Sequence, residues 1–212
     1  MSEENVTPKW FKSGFESLDS MPDTSAGKTQ RRFWMPAEKS AKITFLDSEP
    51  FCIWEVNMNL NGSWRNWFTS LKSMGQECPL EEAGFRPYYV GFLTVIDHSE
   101  WEDSKGVTHK DDVKLYAAKV STMKKLKRQV EKHGPLGGCQ FDVYRSDKKS
   151  AAVGDEFDFV GKIDVASQYP DAKIHDYQNE LAPKSSSELK KIVGAAEETE
   201  TANEEAGENV PF

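Results

Sequence analysis

The chain has 212 residues, 37% hydrophobic and 11% aromatic, which suits one domain of roughly 150 residues with tails, and the aromatic weight favours β structure. No apolar run approaches the roughly 18 residues that cross a bilayer, and the start MSEENVTPKW has neither a basic n-region nor an apolar h-region, so neither membrane insertion nor export is expected. The formal net charge of −8 sits largely in Ala195–Phe212, whose six glutamates face no Lys or Arg; setting them aside leaves −2.

Residues 1–30 read as a polar arm with one short helix, its larger apolar side chains being Trp10, Phe11, Phe15, Leu18 and Met21. A domain is expected over 31–182. Ala41–Asp47 and Phe51–Met58 alternate as strands and read as a hairpin through Ser48-Glu49-Pro50. Trp64, Trp67, Phe68 and Leu71 follow helical spacing, which predicts a helix over Trp64–Met74 capped by Gly75. Tyr88–Asp97 is the most β-prone run, with Gly91 marking a bulge or bend, and Val113–Val120 is its natural partner. Ser121–His133 carries Ser/Thr cap candidates, keeps Met123, Leu126 and Val130 on one face and stops at Gly134-Pro135, which predicts a helix. Cys139–Arg145 and Asp155–Val165 form a second hairpin across Ser146–Gly154. Five or six short antiparallel strands with one capped helix between the later ones predict a mainly β fold, a five-stranded OB-like barrel with short extra helices. Residues 183–212 read as a linker and acidic tail, with a helical turn at Ser187–Val193. Too few apolar side chains lie in the tail to offset the entropy of ordering it.

Aromatic and basic residues are interleaved beyond what a core requires. Arg31-Arg32-Phe33-Trp34 is followed by Lys39 and Lys42; Trp64-Arg65-Asn66-Trp67-Phe68 and Arg86-Pro87-Tyr88-Tyr89 repeat the pattern. A base stacked on a ring gains roughly 1–3 kcal/mol whatever its identity, and Lys or Arg along a groove captures phosphates. Single strands are therefore the ligand these clusters suit, with the rings of Trp34, Trp64 and Tyr88 as stacking candidates. Phe45, Trp54, Phe92, Phe141, Phe157 and Phe159 alternate as barrel core. The helix adds Lys124, Lys125, Lys127, Arg128 and Lys132 against Glu131 alone, and Lys114, Lys119, Lys148 and Lys149 extend the same field. A solvated helix face is the plain reading of such a run; contact with a phosphate backbone is the functional one. The expectation is one trough in which rings and cations converge, with little base specificity, because no RNP-type or helix-turn-helix signal is present.

Other chemistry has weaker support. Cys52, Cys78 and Cys139 are odd in number and widely spaced, ordinary for a reducing cytosol, and with His98, His109, His133 and His175 they form no zinc-ligand spacing. Asp97, His98, Asp111 and Asp112 offer the carboxylates and imidazole of a metal-dependent nuclease, but from polar loop sequence where carboxylates are usually solvated. No P-loop, nucleophile-elbow or zincin motif occurs. A non-enzyme without cofactor is expected; a protein-only adaptor whose basic helix meets an acidic partner is the remaining alternative.

Two features together resemble a known family. The ending Glu208-Asn-Val-Pro-Phe212 after a glutamate-rich run is similar to the acidic tail of bacterial single-stranded DNA-binding proteins. Phe33-Trp34, Ile43–Asp47, Cys78-Pro79-Leu80-Glu-Glu-Ala-Gly84, Thr94–Asp97 and Gly137–Val143, in that order, resemble single-stranded DNA-binding proteins of tailed bacteriophages over roughly Arg31–Val165. The resemblance implies an OB-fold that sheathes single-stranded DNA in replication, recombination and repair within the bacterial host cytoplasm. It also implies a tail that recruits phage or host replication and recombination proteins through Glu204, Glu205, Glu208, Val210, Pro211 and Phe212, and that can occupy the DNA groove; a homo-oligomer is compatible with it. Some relatives hold zinc through a Cys-Pro-x-Cys pair. Here Glu81 replaces the second cysteine and no cysteine lies between Cys52 and Cys78, so no zinc site is expected.

Overall fold

The computed structural model describes residues 32–60, 62–103 and 105–194; the expected arm, Arg31 and the acidic tail lie outside them. The strands are β1 (Lys39–Phe45), β2 (Phe51–Leu60), β3 (Ser63–Thr69), β4 (Tyr88–Asp97), β5 (Trp101–Glu102), β6 (Thr108–His109), β7 (Asp112–Lys119), β8 (Cys139–Arg145) and β9 (Glu156–Lys162). The helices are α1 (Pro79–Glu82), α2 (Val120–His133), α3 (Val165–Gln168), α4 (Tyr177–Glu180) and α5, which covers 186–194 among the described residues. Seven strands form one antiparallel sheet in the order β3-β2-β4-β1-β8-β9, with β7 on the other side of β4; β5 and β6 pair apart. No ladder joins β7 to β9, so the sheet is open.

β4 has three partners. Its first half pairs with β2 and its second half with β1 along one edge, while β7 pairs with Val90–Asp97 along the other. Alternate residues of a strand face opposite sides, so β4 serves two cores. Leu93 and Val95 join Ile43, Phe45, Tyr116 and Phe141 beneath α2. Val90 and Phe92 join Ile53, Leu115, Tyr177 and Leu181 on the reverse. Burial on both faces explains why YYVGFLTVID reads as a nearly unbroken apolar run.

Several sequence expectations are corrected. β1 and β2 are not a hairpin: β1 pairs with β4 and β8, and β2 with β3 and β4. Trp64–Met74 is not a helix but β3 followed by a 3-10 turn, Leu71–Met74, capped by Ser70. The spacing of Trp64, Trp67, Phe68 and Leu71 arises because Phe68 and Leu71 serve a third core, with Val56, Met58, Cys78, Leu80 and Leu189, while Trp67 faces the other way. Leu189 is fully buried there, so packing runs past the boundary expected at 182. The N-cap of α2 is Lys119, without a side-chain cap bond, rather than Ser121 or Thr122. Gly91 carries no bulge, since both ladders of β4 stay in register through it. Its missing side chain makes room instead: a Cβ there would lie 2.5 Å from Met123 Sδ, so Gly91 lets α2 lie on the strand. Trp54 and Phe159, expected in the core, are partly exposed; Phe159 stacks on His133 at 3.9 Å between ring centroids.

The tightest backbone approach is at Gly138, whose N–H donates to the Phe45 carbonyl as the chain enters β8. Its φ is +79°, and a Cβ would sit 2.6 Å from the Ile163 carbonyl oxygen. Gly138→Ala is expected to lower the unfolding free energy by at least about 1–3 kcal/mol, the cost of a non-Gly residue in the left-handed region. Urea denaturation measures this, and an unchanged midpoint would show that the turn adapts.

Candidate nucleic-acid interface

The corner where β3, β2, β4 and β7 meet carries the aromatic and cationic side chains closest to a site. Register places Glu55 opposite Tyr88, Trp54 opposite Tyr89, Asn57 opposite Trp67 and Val90 opposite Lys119. By alternation Glu55, Trp67, Tyr88 and Lys119 share one face, and Trp54 and Tyr89 share the other. On the first face Glu55 is only 2% exposed. A carboxylate so buried is costly unless paired and hydrogen-bonded. Arg32 donates from Nη1 to Oε2 at 3.0 Å and from Nη2 to Oε1, and Tyr88 Oη donates to Oε2 at 2.6 Å. The Arg32 guanidinium lies 4.0 Å from the Trp67 ring centroid and 5.3 Å from that of Phe92. Lys119 Nζ lies 4.6 Å from the Tyr88 ring. Burial, and then the Glu55 charge, pushes the Tyr88 phenol well above its ordinary value, so it remains a donor.

Arg32, expected to meet phosphates, is therefore spoken for: it neutralises Glu55 and backs Trp67. Trp34 and Trp64 are both 61% exposed, Trp34 between buried Phe33 and Met35. Arg65 and Arg86 are exposed, and Arg86 lies two residues ahead of Tyr88. Lys39 is exposed at the start of β1. Lys42 is exposed too, but it faces Asp142, which faces Asp158 on β9, so that row is net acidic and a poor place for a phosphate. On α2, Lys124, Lys127 and Arg128 are exposed, while Lys125 Nζ donates to the Asp155 carbonyl at 2.5 Å. Lys127 also edges a largely apolar cavity of about 440 Å³ between α2 and Ser48–Pro50. Arg31, Glu204, Glu205, Glu208, Val210, Pro211 and Phe212 lie outside the described residues.

The single trough expected from sequence is thus divided. Tyr88 and Tyr89 are consecutive and point to opposite faces, and Lys42 belongs to neither group. Continuity comes from Lys119, which ends β7 and is also the N-cap of α2. From there α2 runs over Gly91 and Leu93, on the Tyr89 side of β4, so Lys124 and the rest of the basic stripe lie with the second face. Trp67, Glu55, Tyr89, Trp54 and Lys72 were not singled out as site residues from sequence. An acidic residue inside the apolar alternation of FCIWEVNM was the available signal, because a buried carboxylate implies a cation nearby.

The side chains of the nuclease alternative lie close together, Asp97 being opposite Asp112 on β4 and β7, and each has a partner. Asp97 accepts from Lys114 Nζ at 2.6 Å, Asp111 pairs with His98 Nδ1, and Asp112 accepts from Trp101 Nε1 at 2.6 Å. His98 Nε2 lies 2.8 Å from Thr44 Oγ1. Among the described residues no three His, Cys, Asp or Glu side chains are grouped to hold a metal ion, and no helix is long and apolar enough to cross a membrane. The Cys78 thiol is buried in the third core. Comparison with known protein families, curated proteins and solved structures finds no match to this chain.

Arg32→Ala is expected to destabilise the domain by about 3–5 kcal/mol, because it strands a buried charge. Adding Glu55→Gln should restore more than half of the loss in a urea-denaturation double-mutant cycle. Additive losses would mean that the pair is not coupled.

Proposed function

We propose that the chain is a non-catalytic binder of single-stranded DNA with little base specificity, built on an OB-like barrel. The observation that carries the reading is the strand order β9-β8-β1-β4-β7, with α2 between β7 and β8 in sequence. An OB-fold is a five-stranded, partly open Greek-key barrel that binds oligonucleotides on its second and third strands. In this chain those strands are β4 and β7, which carry Tyr88 and Lys119. Between β7 and β9, which share no ladder, the segment ahead of β1 and the helix α2 supply bonds. Phe33 N–H donates to the Leu115 carbonyl at 2.8 Å, Met35 N–H to that of Ala152 at 3.0 Å, and Gln129 Nε2 to that of Phe157 at 3.2 Å.

On this reading bases stack on the rings of Tyr88, Trp64 and Trp34, with Trp67, backed by Arg32, as a further platform. Phosphates meet Arg65, Arg86, Lys119 and the Lys124, Lys127 and Arg128 stripe, with Lys39 and Lys125 at its margins. Residues 195–212 form the acidic tail that competes for the groove and recruits replication and recombination proteins of phage or host through its Val-Pro-Phe end. The setting is a bacterial host cytoplasm, with self-association compatible.

Affinity for poly(dT), followed by tryptophan quenching, should fall steeply with salt, each phosphate contact adding about 0.7 to the logarithmic slope. A flat salt response overturns the electrostatic mechanism. Trp64→Ala should weaken binding by about 1–3 kcal/mol with an unchanged melting temperature; unfolding instead would assign Trp64 a structural role. Removing 195–212 should tighten binding at low salt, and weaker binding after truncation contradicts competition by the tail.

A further inference from the structure

The second face of the same corner has its own aromatic group. Trp54 and Tyr89 sit opposite each other on β2 and β4, with ring centroids 5.3 Å apart and planes at 59°. Tyr89 is 38% exposed and Cys52, two residues before Trp54 on the same face, is exposed. Lys72 Nζ lies 4.3 Å from the Trp54 ring. The 3-10 turn that supplies Lys72 is fixed to the strand, because the Trp54 N–H donates to Ser73 Oγ at 2.9 Å and the turn ends on left-handed Gly75. Across the face the cover stops short. Met123 and Pro50 close over Gly91, two residues beyond Tyr89, and Val120 at the start of α2 is again exposed. A tryptophan and a tyrosine are thus held in fixed geometry between the turn and the helix, with no lid over them among the described residues.

We propose that this face is a second base-stacking shelf, so that one unpaired polynucleotide crosses the start of β4 and engages both faces. The proposal rests on the single-stranded DNA reading above and extends it to residues outside that interface. Tyr88 and Tyr89 have Cα atoms about 3.8 Å apart and opposite directions, so a strand passing Arg86 just ahead of β4 meets a ring on either side. Charge at the turn end of the second shelf is weak. Lys72 has Glu81 at 3.9 Å, and Glu77 and Glu82 lie in the same segment, so the shelf suits the face of a base rather than a phosphate. Stacking of this kind tolerates any base.

The test uses the full chain with oligo(dT) of graded length. Tyr89→Ser and, separately, Trp54→Leu should bind long oligonucleotides about 5- to 150-fold more weakly and occlude fewer nucleotides per protein, with the wild-type salt slope, because no phosphate contact is removed. Wild-type affinity and site size in folded variants would overturn the second shelf and leave that face to a protein contact. Photo-crosslinking of iodouracil-substituted oligonucleotide to the wild type covers the case of misfolding. Adducts on Tyr89 or Trp54 as well as on Tyr88 or Trp67 support the crossing, and adducts confined to the Tyr88 face overturn it. A wild type that binds no oligonucleotide of any length overturns the parent reading itself.

Discussion

A carboxylate buried in the middle of a sheet organises this corner of the molecule. Removed from water, Glu55 is tolerated because both oxygens are occupied, by the fork of Arg32 and the phenol of Tyr88. Each partner then has a second duty. Arg32 sits over the Trp67 ring and pins the chain ahead of β1 to the edge of β7, where it forms a parallel bridge with Leu115. Tyr88, tethered through its hydroxyl, keeps its ring where Lys119 can cover it. The orientation of the rings follows from one buried charge rather than from local sequence preference.

Around this point the fold is a matter of sharing β4. Because its two faces serve different cores, β4 couples the layer beneath α2 to the segment that folds back from the end of the sheet. That return is fastened by a small polar network: Tyr177 Oη donates to Asp47 at 2.8 Å and lies 2.7 Å from Thr94 Oγ1, and the Thr94 N–H also donates to Asp47. Burial drives the Tyr177 phenol above its ordinary value and keeps it a donor. Polar groups inside an otherwise apolar layer fix one position for the returning chain, because any other takes the Tyr177 hydroxyl away from both Asp47 and Thr94.

How much could be read beforehand varied with the range of the determining contacts. Tyr88–Asp97, Cys139–Arg145 and the helix ending at His133 were legible, since runs of β-branched and aromatic residues or an amphipathic period terminated by Gly134-Pro135 are local signals. Trp64–Met74 misled because its spacing fits a helix, and only the strand register of β2 shows that Phe68 and Trp67 serve opposite faces. Basic neighbours marked out Trp34 and Trp64, and both are exposed. The bond from Arg32 to Glu55 spans 23 residues, and nothing in either neighbourhood names the other. Lys72 over Trp54 was hidden in the same way, by a turn read as helix.

Leu189 has a mechanical consequence for the C-terminal stretch of the chain. Fixed beside Cys78 and Leu80, it moors the polypeptide to the layer under β2 and β3, far closer to the last residues than the end of β9 is in sequence. From Gly194 the remaining 18 residues span at most about 65 Å. Among the described residues Leu189, with Ile192 and Val193 beside it, and not the end of β9, is therefore where the packed part of the chain stops.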